Sequence, residues 1–300
     1  MSEAGKGHLA MLLFSALVAG SFSLGALAAN EIAPSALQAA RFFLAAVGTG
    51  MLALASGKIR RAHLAAPWRY FVLAGLFGTY FVLMFEGLKT AAPVSTAAVF
   101  TLIPIMAAGF GFLLLRQIMT RGIALGLAIG ACGALWVIFQ GDLQALVRFE
   151  IGRGEFLYFL GCICHAFYAP LLARLNRGEP PVVFTTGILM AGVILIGAYG
   201  WNDLIATDWS ALPPIVWIAL AYLVTFATII SFMLLQFASM RLPAAKVMAY
   251  TYLTPSWVLM WEVALGHGAP ATLVLGGVAL TVVALLVLLR EGGSVRQTAR

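Results

Sequence analysis

Apolar residues run along this chain in blocks long enough to cross a bilayer, and polar residues gather in the short gaps between them. A helix needs about 20 apolar residues to span the hydrocarbon core. Divided at its charge clusters and Gly/Pro breaks, the chain gives ten such blocks. They lie at roughly 9–29, 34–56, 68–88, 91–115, 121–140, 155–175, 180–200, 213–239, 243–266 and 269–289. Two divisions are slight: GLKTAAP alone separates the third block from the fourth, and SMRLP the eighth from the ninth. The expected fold class is an all-α integral membrane protein with ten transmembrane helices.

Composition excludes a soluble domain. Hydrophobic residues make up 62% of 300 positions and charged residues 10%, where soluble domains carry about 25% charged residues. The net charge of +7 does not point to nucleic acid, because the basic residues are spread over connecting loops and not concentrated in one patch. Lys6, Lys58, Arg60, Arg61, Arg69, Arg116, Arg121, Arg174, Arg177, Arg241, Arg290, Arg296 and Arg300 fall on one side of a ten-span chain. Lys89, Arg148 and Arg153 fall on the other. That bias of thirteen to three places both termini in the cytoplasm. Compact loops suit a bacterial inner membrane. A competing reading takes the first block as a cleavable leader ending at Ala26-Leu27-Ala28. Cys132, Cys162 and Cys164 all lie in apolar runs and read as buried reduced thiols, with neither a disulfide framework nor a metal spacing.

The two halves echo each other. EGLKTAAP at the third-to-fourth junction corresponds, 150 residues on, to QFASMRLP, pairing Glu86 with Gln236 and Pro93 with Pro243. LIP at 102–104 likewise corresponds to LTP at 253–255. Residues 1–150 and 151–300 therefore read as two five-helix repeats. Five is odd, so the second copy is inverted. The charges agree, since Lys58, Arg60 and Arg61 follow the second block while Asp203 and Asp208 follow the seventh. Inverted repeats with a site between them are an architecture of secondary transporters.

These features, the mid-helix prolines and the stretch GSFSLGALAANEIAPSALQAARF with Arg41 early in the second block resemble the EamA-type drug/metabolite transporters. The resemblance covers nearly the whole chain, and within the superfamily the chain is similar to the bacterial aromatic amino-acid exporters. It implies export of amino acids, metabolites or drugs. Family members often carry Glu after the fourth and ninth spans, where this chain has Arg116-Gln117 and His267. A coupling role for those acids is therefore not carried over.

The candidate chemistry is intramembrane polarity. Lys246, Tyr250, Trp257 and Trp261 fall within an arc of about 60° on a continuous helix and span about 22 Å. They offer a cation and an aromatic wall to an amphipathic anion, or else a snorkelling lysine above packed rings. Tyr80, His165 and Tyr168 are further candidates for lining the pathway. Pro104 and Pro255 are candidate bends or gates. Arg41, Glu86 and Glu262 are buried-charge candidates, with Glu86, Glu262 or helix-end carbonyls as partners for Arg41. Trp68, Trp201, Trp209 and Trp217 read as interfacial belt residues. Gly122, Gly126 and Gly130 read as helix packing first and dimerisation second.

The leading function is a secondary transporter exporting small metabolites, amino acids above all, by alternating access. Multidrug or other metabolite export is the alternative, and a passive pore, a sensor or a membrane-embedded enzyme stands behind it. The chain lacks a Walker loop, HExxH and GxSxG, so neither ATP use nor catalysis is expected. No cofactor, metal or nucleic acid is expected. The expected partners are a small-molecule substrate, the lipid bilayer, a possible coupling proton or ion and a possible homodimer.

Overall fold

The computed structural model describes residues 2–115, 120–148, 151–239, 241–242, 244–268 and 271–290. Arg116, Gln117, Pro243, Arg296 and Arg300 lie outside them, as do the side chains of Gln236 and Lys246.

Helices dominate: α1 (Glu3–Ala29), α2 (Pro34–Ala55), α3 (Trp68–Leu88), α4 (Pro93–Phe100), α5 (Ile103–Leu115), α6 (Arg121–Ile138), α7 (Leu143–Arg148) and α8 (Arg153–Leu175). They continue as α9 (Pro181–Tyr199), α10 (Trp201–Ala206), α11 (Pro214–Val224), α12 (Ser231–Ser239), α13 (Ala244–Ala249), α14 (Thr254–Ala264) and α15 (Thr272–Arg290). Prolines set many of the starts. Pro34, Pro93, Pro181, Pro214 and Pro255 each stand in a first turn, where the missing N–H would have no intrahelical partner anyway. Ser2 and Thr120 instead cap α1 and α6, accepting from the amides of Gly5 and Ile123.

Among the described residues, nine helical stretches are long and apolar enough to cross a membrane. The ninth block of the sequence is not one of them. It is divided into α13, a 3-10 turn over Tyr250–Leu253 and α14. Pro255 explains the break, because it lacks the N–H that would bond back to the Thr251 carbonyl in a continuous α-helix. LIP breaks the fourth block in the same way. α4 ends at Phe100, the amides of Thr101 and Leu102 bond three residues back, and α5 starts at Ile103 with Pro104 in its first turn. The eighth block stays continuous but contains a π-helical turn, Thr225–Ile230, between α11 and α12.

α3 packs on α8, α2 on α9, α6 on α15, and α4 and α5 on α8. α1 packs on α11, α12 and α14, so the stretch that also read as a leader is part of the helix bundle. Exchanging equivalent helices of the two halves reproduces these pairings. The α3–α8 contact becomes α11–α12 on α1, α4–α5 on α8 becomes α14 on α1, and the other two pairs map onto themselves.

Glycines set the closest crossings. A Cβ on Gly133 would lie 2.8 Å from the carbonyl oxygen of Gly277, and one on Gly277 would lie 2.7 Å from that of Gly133. Gly126 faces Leu288, and Gly130 faces the Tyr252 ring. The Gly126 and Gly130 positions of the small-residue motif are thus used in packing within the chain. Gly133→Val is expected to push α6 off α15 and destabilise the protein by about 1–3 kcal/mol. A fall in melting temperature in detergent would show this, and an unchanged melt would contradict the crossing.

Candidate functional site

On α3, Phe77, Tyr80 and Phe81 stand at i, i+3 and i+4. On α8, Tyr158, His165 and Tyr168 stand at i, i+7 and i+10. Both spacings keep a set of side chains on one helix face. Small residues let the two faces meet. A Cβ on Gly87 would come within 2.6 Å of the Gly154 carbonyl, and one on Gly161 within 3.1 Å of the Tyr80 carbonyl. The rings then stack across the crossing: His165 on Tyr80 at 4.6 Å and Phe77 on Tyr168 at 4.9 Å between centroids. Phe100 from α4 lies 6.2 Å from His165. The hydroxyls of Tyr80 and Tyr158 share a hydrogen bond of 2.9 Å. His165 Nδ1 is buried without a partner.

Next to this cluster lies Arg41, 2% exposed. An arginine at the centre of a membrane helix costs about 2.5–3.5 kcal/mol on insertion scales, so its partners matter. Its guanidinium carbon stands 3.8 Å over the Phe81 ring. Nε donates to Thr228 Oγ1 at 3.0 Å, Nη1 to Gln38 Oε1 at 3.4 Å and Nη2 to the Ala227 carbonyl at 3.4 Å. Thr228 and Ala227 belong to the π turn, and such turns free backbone carbonyls and recur at functional sites.

The acids expected beside Arg41 are elsewhere. Glu86 pairs with Lys89 at 2.9 Å at the end of α3, and Glu262 pairs with His267 Nδ1 at 2.8 Å. Each has a nearer nitrogen partner just past its own helix, Lys89 or His267, so local pairing wins over a long reach.

The aromatic stripe has three described members. Tyr250 shares a 2.9 Å hydrogen bond with His8 Nδ1, Trp257 Nε1 donates to Ser15 Oγ at 3.0 Å, and Trp261 stands edge-on to Tyr222 at 5.8 Å. The 3-10 turn changes the phase assumed for an unbroken helix, yet Tyr250 and Trp257 both reach one face of α1. Lys246 belongs to α13, with its side chain outside the described residues.

A family model for the EamA-like transporter family matches the chain twice, over residues 5–139 and 152–290. The chain belongs to this family. The uncharacterized transporter YyaM of Bacillus subtilis (strain 168) is 25% identical over 273 residues, covering 90% of each chain. A crystal structure of a protein at 22% identity superposes with a TM-score of 0.70, covering 96% of this chain and 97% of its own. That likeness is one of fold. The protein is thus a multi-pass membrane transporter of the EamA-like family, not an enzyme, in keeping with a bacterial inner membrane.

Sequence reasoning for this EamA-like transporter missed Tyr158, Gln38, Thr228 and Ser15. Tyr158 was within reach, seven residues before His165 on the same face. Gln38 was one turn from Arg41. Thr228 and Ser15 gave no local signal, because their partners lie 187 and 242 residues away. Cys162 is buried as expected. Cys132 is exposed and Cys164 half-buried, and all three thiols are free. Cys132 sits in an apolar run of α6, and its exposure corrects the buried reading of all three thiols. Trp68, Trp201 and Trp217 are exposed, whereas Trp209 folds back to donate to the Leu204 carbonyl at 3.2 Å.

Trp257→Phe is expected to cost about 1 kcal/mol through the lost hydrogen bond to Ser15, read as a small drop in melting temperature. A loss of transport larger than that drop explains would mark Trp257 as lining the pathway. Equal small effects on both would leave it a packing residue.

Proposed function

We propose that this EamA-like transporter is a secondary carrier that exports small amphipathic metabolites, amino acids foremost and aromatic ones among them, by alternating access. The observation that carries this reading is the ring cluster of Phe77, Tyr80, Phe100, Tyr158, His165 and Tyr168, which holds an unpartnered imidazole nitrogen beside the buried cation Arg41. Stacked rings accept the apolar side of such a solute, and fixed cationic and polar groups orient its charged end.

In this reading, residues 1–150 and 151–300 are inverted five-helix halves, and α13, the 3-10 turn and α14 together make the tenth crossing. Both termini face the cytoplasm. The matching helix pairings and the basic loops support this arrangement. The breaks at Pro104 and Pro255 fall at equivalent places and supply points where each half flexes. Lys246, Tyr250, Trp257 and Trp261 are a second wall, with Lys246 at its cytoplasmic end.

The direction of transport is tested in cells. Bacteria loaded with labelled phenylalanine are expected to lose it faster when the protein is expressed, with saturation at high internal load. Loss of label from a loaded cationic drug alone would replace amino-acid export with drug export.

A further inference from the structure

Arg41 and Gln38 stand one turn apart on α2 and face the π turn of the eighth span. Gln38 is fully buried, and its Nε2 has no partner. The guanidinium presents five N–H donors in a planar fork. Only one of its bonds is short, the 3.0 Å bond to Thr228. The bonds to Gln38 and the Ala227 carbonyl are both 3.4 Å, beyond the usual range of 2.7–3.2 Å. Among the described residues no carboxylate lies within 4.0 Å of the guanidinium. The idle Gln38 amide and the loosely held guanidinium together make a buried donor set with unused capacity for an anion.

We propose that Arg41 and Gln38 form the carboxylate subsite of this carrier. This rests on the reading that the solute is an amino acid. A planar anion with two oxygens matches the guanidinium fork bidentately, and the idle Gln38 amide supplies a third donor. In the structure the guanidinium rests on the π turn through Thr228 and Ala227. When a carboxylate takes the fork, the two long bonds, to Gln38 and to the Ala227 carbonyl, are the ones given up, while the short Thr228 bond keeps the guanidinium tied to the π turn. The aromatic side of the solute has a continuous path from there. Phe81, under Arg41, lies 4.6 Å from Phe77 and 4.8 Å from Tyr80, and those rings reach His165 and Tyr168.

Gln38→Glu tests this, because it places a resident carboxylate beside Arg41 that competes with the ligand while keeping the size of the side chain. In counterflow with labelled phenylalanine its KM is expected to rise at least tenfold, with a melting temperature no lower than wild type. An unchanged KM would overturn the subsite and leave Arg41 a structural bridge. A second readout does not depend on transport. Added 3-phenylpropionate is expected to raise the melting temperature of the wild type but not of Gln38→Glu, and phenethylamine, which lacks the carboxylate, is expected to raise neither. If no amino acid is moved and 3-phenylpropionate still separates the two proteins, the amino-acid reading falls and the subsite stands. If 3-phenylpropionate stabilises both equally or neither, the subsite falls.

Discussion

Arg69→Ala is expected to cost about 3–5 kcal/mol of stability, the usual loss when one partner of a buried ion pair is removed. Arg69 and Glu179 are buried, and Arg69 Nη2 stands 2.7 Å from Glu179 Oε1. The guanidinium also donates to the carbonyls of Leu175, Ala65 at 3.1 Å and Ala66 at 3.3 Å. It thereby joins the ends of α8 and α9 to the turn before α3, in which Ala66 is held at a φ of 54°. Left-handed geometry is unfavourable for a residue with a Cβ, so this turn needs its anchors. The second Glu179 oxygen accepts from the Arg177 amide at 2.6 Å.

The pH dependence follows from Glu179. Burial opposes its ionisation, but the Arg69 hydrogen bond and backbone donors outweigh it and hold its pKa below the ordinary carboxylate value. A depressed pKa adds stability that is complete above the unfolded value of about 4.3 and is lost as pH falls through the folded value. Melts in detergent at pH 7 should therefore separate wild type from Arg69→Ala widely. The gap should narrow below about pH 4. Equal melting temperatures at pH 7 would show that the pair carries no stability.

His165→Leu is expected to lower kcat/KM for aromatic amino acids at least tenfold, about 1.4 kcal/mol, without lowering the melting temperature. Leucine removes a buried nitrogen that has no partner, and burying such a group is costly, so packing alone predicts an equal or higher melting temperature. It also removes the ring stacked on Tyr80 and Tyr168. A packing histidine and a solute-facing one thus agree on stability and differ in transport. Unchanged transport together with unchanged stability would return His165 to the packing role.

Much of the bundle was legible in the sequence, and the reasons are local. Apolar block length marks the spans, and Pro34, Pro93, Pro181 and Pro214 mark helix starts because a first turn loses nothing by the missing N–H. Pro255, read as a bend within a span, opens α14. What escaped was non-local or changed the helical phase. The Lys246–Trp261 stripe was drawn on an unbroken helix, and the 3-10 turn at Tyr250–Leu253 rotates about 120° per residue instead of 100°. The π turn leaves no mark in composition, so the Thr228 and Ala227 contacts to Arg41 were not foreseen. Arg69 counted among the loop charges, but the chain folds its first helical turn under the Leu175–Glu179 corner and buries it. Of the solute-facing candidates, Tyr80, His165 and Tyr168 come together because their spacings match the face on which α3 and α8 cross.

The most direct measurement is counterflow of labelled phenylalanine into proteoliposomes loaded with unlabelled phenylalanine, beside labelled tryptophan, threonine and a cationic drug. The account predicts saturable accumulation of an aromatic amino acid, stimulated by the internal load and abolished when that load is omitted. Uptake that rises linearly with concentration and ignores the load would make the protein a passive pore and contradict the carrier.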